Sequence, residues 1–371
     1  MQQFRIAPRI MLYADYAAFA ADFALGADDL VVTNAFIHQG GMQNHNHQGA
    51  LIFQEKYGAG EPSNEMMDAL LAEARRHSYK RVIAVGGGTV IDMAKLLALG
   101  GNYSTSEYFS GQAPLVKEKE LILIPTTCGT GSEVTNISIL EIKEQHTKKG
   151  LATDALFADY AVLIPDLLTT LPFQVFATSS IDALVHAAES FVAPASGKMS
   201  ELFSIKAIEM IIGGYRMMQA EGPEYRNVIL EDFLLASTYA GIAFGNTGVG
   251  AVHAMSYPLG GVYHVPHGEA NQQFFTEVFK AYKKLQPLGR IVELEKLLSK
   301  LLDVKSNNVW EQLDSLLEFI SPRKPLQSYG MRQEEITEFA DSVLTNQQRL
   351  LRNNYTALSR QEMIGIYSRL Y

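Results

Sequence analysis

Residues 81–95 read Arg-Val-Ile-Ala-Val-Gly-Gly-Gly-Thr-Val-Ile-Asp-Met-Ala-Lys. The first five are short, β-branched and bounded by turn residues, the pattern of a buried strand. Three glycines follow, then apolar residues at helical spacing up to Gly100-Gly101, a usual helix stop. A strand that turns through glycines into a helix predicts an α/β fold. At such a turn the backbone can approach a pyrophosphate, and the free N–H groups of the helix N-terminus favour its charge. A tight turn without a ligand looks the same, and the GxGxxG fingerprint is absent, so a second signal is needed.

Working outward, Asp29–Thr33 (DLVVT) and Leu121–Ile124 (LILI) also read as buried strands, and Asn64–His77 reads as a helix with a Pro62-Ser63 start. Strand and helix in alternation imply a parallel sheet with right-handed crossovers. The strand at 121–124 runs into Pro-Thr-Thr-Cys-Gly-Thr-Gly-Ser-Glu at 125–133, a loop of hydroxyls and glycines. In a parallel sheet both loops leave at the carboxyl edge, where ligands of open α/β sheets bind. Together they predict a dinucleotide site. Cys128 in that loop has no general base beside it in sequence and reads as a small buried filler.

Beyond Pro165 the texture changes to long helical patterns: Ser179–Phe191, Ser200–Tyr215 and Glu231–Phe244. The expected architecture is an amino-terminal α/β dinucleotide-binding domain with a parallel sheet over 1–168, followed by an all-α metal-binding domain over 169–371. Asp182 and His186 are four apart and share a helix face. Further on, His253, His264 and His267 fall within fifteen residues. Any one of these histidines alone reads as a core or capping residue. A carboxylate with several imidazoles and no thiolate suits a divalent first-row ion, iron(II) or zinc.

Acidic residues outnumber basic ones 40 to 31, a formal charge of −9, which argues against a nucleic-acid or anionic-membrane partner. The lone cysteine excludes a disulfide framework. The first residues lack a basic leader with an unbroken apolar stretch, and no apolar run approaches the ~20 residues of a membrane span. A cytoplasmic protein is expected.

Four segments together resemble the iron-containing, group III alcohol dehydrogenase family: GGGTVIDMAK at 86–95, PTTCGTGSEVT at 125–135, IDALVHAAES at 181–190 and HAMSYPLGGVYHVPHGEAN at 253–271. The resemblance implies an oxidoreductase acting on an alcohol, with iron(II), or zinc in its place, held by Asp182, His186, His253 and His267. It implies cofactor contacts at Gly87, Gly88, Thr89, Thr126, Thr127 and Thr130, with Lys149 reaching the nicotinamide ribose. Asn34 stands where many members carry an aspartate for the adenosine ribose. It lacks the charge that repels a 2′-phosphate, yet Ala35 and Phe36 offer no cation to attract one, so NAD is expected over NADP. Tyr257 replaces a histidine often cast as proton relay, which leaves Tyr257, His264 or water for that role. The family's habit also implies a homodimer or larger assembly.

The tyrosine form of that motif, with YHVPHGEAN after it and TNAFIHQ near the start, is similar to the branch that interconverts 4-hydroxybutyrate and succinate semialdehyde in fermentation. The alternative within the family is a general short-chain alcohol or diol dehydrogenase. A dehydroquinate synthase-like lyase should show basic residues among its metal motifs, and 179–192 and 251–271 contain none. A non-catalytic binding protein would have no reason to keep the whole ligand set.

Overall fold

The computed structural model describes residues 3–45, 47–143 and 147–371. Among the described residues eight short runs form strands: β1 (Arg9–Leu12), β2 (Asp29–Thr33), β3 (Ala50–Phe53), β4 (Arg81–Gly86), β5 (Glu120–Pro125), β6 (Ile137–Ile142), β7 (Thr147–Ala152) and β8 (Tyr160–Leu163). Six of them make one parallel sheet in the order β1-β8-β5-β4-β2-β3, and β6 and β7 pair antiparallel as a separate hairpin. Among the described residues of this part of the chain the α-helices are α1 (Tyr16–Asp22), the single turn α2 (Ala35–Ile37), α3 (Asn64–Ala74), α4 (Gly88–Leu97) and α5 (Thr105–Ser110), with shorter 3₁₀ and π turns between strands.

The period-2 alternation of the strands sorts their side chains onto two covered faces. Leu30, Val32, Val82, Ala84, Leu121 and Leu123 join the core under α3, α4 and α5. Val31, Ile83, Val85, Ile122 and Ile124 join the opposite core, with Tyr16 and Phe19 of α1. Ser63 caps α3, its side chain accepting from the Met66 N–H at 3.2 Å. That helix ends at Ala74, three residues before the expected His77, and α4 likewise ends at Leu97, ahead of the two glycines.

The chain divides into two compact units, one spanning Ile6–Pro172 and the other Phe173–Tyr371 together with the few residues ahead of Ile6. The division falls four residues beyond the expected 168. Pro165–Leu168 is a 3₁₀ turn whose Leu167 belongs to the core of the α/β unit. The start of the chain also departs from the expected 1–168 span. Arg5 exchanges two hydrogen bonds with Asn246, at 2.7 and 2.9 Å, and Phe4 stacks on Phe203.

The second unit consists of α6 (Phe173–Val192), α7 (Lys198–Glu221), α8 (Leu230–Thr247), α9 (Ala251–Tyr263), α10 (His267–Leu285), α11 (Arg290–Leu302), α12 (Val309–Ile320), α13 (Glu335–Asn346), α14 (Gln348–Leu351) and α15 (Arg360–Leu370). It has no strand among its described residues. α6 is apolar and buried on nearly every side, as a central helix must be, and it packs against α7, α8 and α10. No helix among the described residues is long and apolar enough to cross a membrane.

Candidate functional site

Asp182 and His186 project from one face of α6, because four residues bring a helix back to nearly the same side. His253 comes from the first turn of α9, and His267 is the first residue of α10. α10 can start so close to α6 only because Gly268 follows. A Cβ there would lie 2.2 Å from the Thr178 carbonyl oxygen. The four side chains converge until one ligand atom from each lies within 4.8 Å of the others. Asp182 is at the centre: its Oδ1 is 3.8 Å from His253 Nε2 and 3.9 Å from His267 Nε2, and its Oδ2 is 4.0 Å from His186 Nδ1.

Burial is uneven. Asp182, His186 and His253 are buried, whereas the His267 side chain keeps 25% of its surface, so the cluster opens on that side. The His186 ring lies stacked between Phe244 and His253, with centroids at 4.2 and 4.7 Å. Burial acts to raise the Asp182 carboxyl, but the three imidazoles and the Asn271 amide outweigh it and hold it below the ordinary carboxylate range. It is therefore an anion.

Residues that the sequence reading did not single out complete the arrangement. Glu189 Oε2 lies 2.6 Å from His253 Nδ1, while its Oε1 accepts from the Val252 N–H at 2.8 Å. A carboxylate on Nδ1 keeps the proton there and leaves Nε2 as a lone pair. That Nε2 is buried without a hydrogen-bond partner and faces Asp182. An orphaned buried acceptor is costly unless something binds it, and a metal ion fits the vacancy in its bonding. Asn271 donates to Asp182 Oδ1 at 2.7 Å and is itself fixed by Ser256 at 2.5 Å. One carboxylate and three imidazoles without a thiolate can hold a divalent first-row ion. A carboxylate three residues beyond His186 was the available signal for Glu189; Asn271 carried none.

Tyr257, one helical turn after His253, is buried, with its ring centroid 6.1 Å from that of His267. His264 is placed otherwise. It is the exposed residue that ends α9, in the left-handed conformation at φ 53°, and it is not one of the four clustered residues. It lies between the end of α9 and the start of α10.

In the α/β unit, β4 and β5 are adjacent and their loops emerge side by side. Gly87 caps α4 and Gly88 begins it. A Cβ on Gly87 would stand 3.3 Å from the Thr127 methyl, and one on Gly88 only 2.9 Å from that of Thr130. Thr126 extends the ladder, its N–H donating to the Gly86 carbonyl at 3.0 Å. Thr89 turns its hydroxyl to the Gly60 carbonyl at 3.1 Å.

Beneath this cradle the fully buried Lys95 donates to Ser132 Oγ and the Ile137 carbonyl, both at 2.6 Å, and Ser132 donates to Asp92 at 2.5 Å. Burial pushes the Lys95 ammonium down and the Asp92 carboxyl up, each opposed by the other's charge. The network rivets the hydroxyl loop to α4. Cys128, within that loop, is buried. Asn34 leaves the end of β2 at the same edge of the sheet, whereas Lys149 lies on β7 of the hairpin, opposite Leu140, with its side chain exposed.

Two family models match the chain. One described as "Iron-containing alcohol dehydrogenase" covers residues 17–165, and one described as "Fe-containing alcohol dehydrogenase family, C-terminal" covers 176–371. The chain is 49% identical over 371 residues, the whole of both proteins, to the 4-hydroxybutyrate dehydrogenase of Clostridium kluyveri. It is 34% identical to the long-chain-alcohol dehydrogenase 1 of Geobacillus thermodenitrificans, over 83% of this chain and 79% of that one. Among solved structures, the sulfoacetaldehyde reductase from Bifidobacterium kashiwanohense in complex with NAD+ superposes with a TM-score of 0.86 at 22% identity, covering 100% of this chain and 98% of that one. A 1,3-propanediol oxidoreductase superposes at 0.85 with 21% identity over the whole of both.

Proposed function

The chain belongs to the iron-containing alcohol dehydrogenase family, and from that premise we propose that it interconverts 4-hydroxybutyrate and succinate semialdehyde with NAD(H) as the hydride carrier. The observation that carries the substrate is the 49% identity, end to end, with a 4-hydroxybutyrate dehydrogenase. The reading extends to a cytoplasmic homo-oligomer; the lone buried thiol of Cys128 suits a reducing compartment.

The ligand set of the reading is Asp182, His186, His253 and His267, which fits iron(II) or zinc. Bound there, the ion would supply Lewis acidity to the alcohol or carbonyl oxygen. The protein's own residues do the rest. Asp182 offers the one negative charge of the cluster, and Asn271 fixes its Oδ1 by hydrogen bonding. Glu189 holds His253 in the tautomer whose Nε2 lone pair faces Asp182. Tyr257, buried beside His267, is assigned the proton of the alcohol oxygen in preference to His264, which is exposed at the end of α9. Gly87, Gly88, Thr89, Thr126, Thr127 and Thr130 would seat the nucleotide, with Lys149 on its ribose.

The reading predicts that Glu189→Gln, which keeps the shape but removes the charge facing His253, weakens metal affinity ~10–100-fold, the usual cost of losing such a partner. Competition with a chelator measures it, and an unchanged affinity would strip Glu189 of its role. For the substrate, kcat/KM with NADH should favour succinate semialdehyde over butyraldehyde, which has the same chain length and no acid group. Groups built to bind the carboxylate would be left unpaired by butyraldehyde at a cost of about 3 kcal/mol, roughly a hundredfold. Equal values would make the enzyme a general short-chain alcohol dehydrogenase.

A further inference from the structure

β2 and β3 are in-register neighbours, with Thr33 opposite Phe53, so Asn34 and the 3₁₀ turn Gln54–Tyr57 leave the sheet side by side. The exposed Glu55 carboxylate on that turn is held on both oxygens. Oε1 accepts from the Ala35 N–H at 2.6 Å and Oε2 from the Asn34 amide at 2.9 Å. The same Asn34 amide is 3.3 Å from Gln54 Oε1. On its other side β2 neighbours β4, the strand that ends in the glycine turn of α4. In dinucleotide folds the pyrophosphate rests on the glycine-turn helix, and an acid in the same βαβ unit accepts from the adenosine ribose hydroxyls. Here the end of β2 carries an amide, and an anion reaches the same spot from the next strand.

We propose that Glu55 is the acid that binds the adenosine ribose hydroxyls, with Asn34 as its positioning residue, and that this pair sets a preference for NAD(H) over NADP(H). The inference rests on the dehydrogenase reading above and deepens it. A carboxylate can accept about four hydrogen bonds, so the two it receives leave room for the ribose hydroxyls. A 2′-phosphate would instead meet a negative charge. Partial burial works to raise the Glu55 carboxyl, but the Ala35 N–H and the Asn34 amide hold it below its ordinary value, so the charge is present at neutral pH. The neighbouring Lys56 lies over the Phe53 ring at 5.3 Å, and its charge also helps to lower the Glu55 carboxyl. The arrangement requires an amide at Asn34. An aspartate there would face Glu55 across the 2.9 Å now spanned by a hydrogen bond, so Asn34→Asp should weaken NADH binding.

Calorimetric titration of the full chain with NADH and NADPH tests this in wild type, Glu55→Gln, Asn34→Ala and Asn34→Asp. Gln keeps an acceptor for the Ala35 N–H while removing the charge. The wild type should prefer NADH by about a hundredfold, and Glu55→Gln should cut the ratio of dissociation constants at least about tenfold with unchanged Tm. Asn34→Ala should move the ratio the same way by less. A ratio within about twofold of wild type in Glu55→Gln would overturn the proposal. So would tighter NADH binding in Asn34→Asp. Failure of the wild type to bind either nucleotide would instead remove the dehydrogenase reading itself.

Discussion

Asp182→Ala is expected to purify with less than about a tenth of an ion per chain and to lose more than about a thousandfold in kcat/KM, ~4 kcal/mol of transition-state stabilisation. The reason is position as much as charge. Asp182 is the member of the cluster that approaches all three imidazoles, at 3.8 to 4.0 Å. It is also the only anion among the four. Without it a divalent charge would have to be buried among neutral rings, an arrangement that proteins avoid. Metal content by mass spectrometry and NADH binding by titration separate the effects. Nucleotide affinity should be unchanged, because the nucleotide site proposed above draws only on residues of the Ile6–Pro172 unit. A chain that kept a full ion and full activity would mean the cluster is structural.

Gly88→Val should weaken NADH binding by at least about a thousandfold, ~4 kcal/mol, while leaving the metal content intact. The first added carbon already stands 2.9 Å from the Thr130 methyl, before the two further methyls are counted. Those carbons would fill the space over the first N–H groups of α4, where a pyrophosphate would lie. The loop cannot simply retreat, because Ser132 is tied to both Lys95 and Asp92. Unchanged NADH affinity in this variant would reduce the glycine turn to a plain connection.

What could be read in advance followed from pattern strength. β2, β4 and β5 are short runs with clear boundaries, and the helical pattern at Ser179–Phe191 marks α6, whose first turns from Phe173 lie outside that pattern. β8 is a central strand of only four residues, and β1 and β3 are four-residue edge strands, too short for periodicity to register. The Asp182 and His186 pair was visible because their spacing is local. Glu189, Asn271 and Glu55 reach their partners only through packing: 64 residues separate Glu189 from His253, and 21 separate Glu55 from Asn34. The left-handed backbone of His264 at the end of α9 was not legible either, because residue type alone does not announce it.

The four-residue cluster draws on three helices, and its members are as far apart in the chain as Asp182 and His267. An unfolded chain therefore offers no such constellation, and an ion selects the folded one. At a free concentration a hundred times its dissociation constant, a ligand that binds only the native state adds about 2.7 kcal/mol to its stability. Against the ~5–15 kcal/mol that typically separates folded from unfolded protein, that is a large share. Iron supply would then govern how long each molecule survives proteolysis, and not just how fast it turns over.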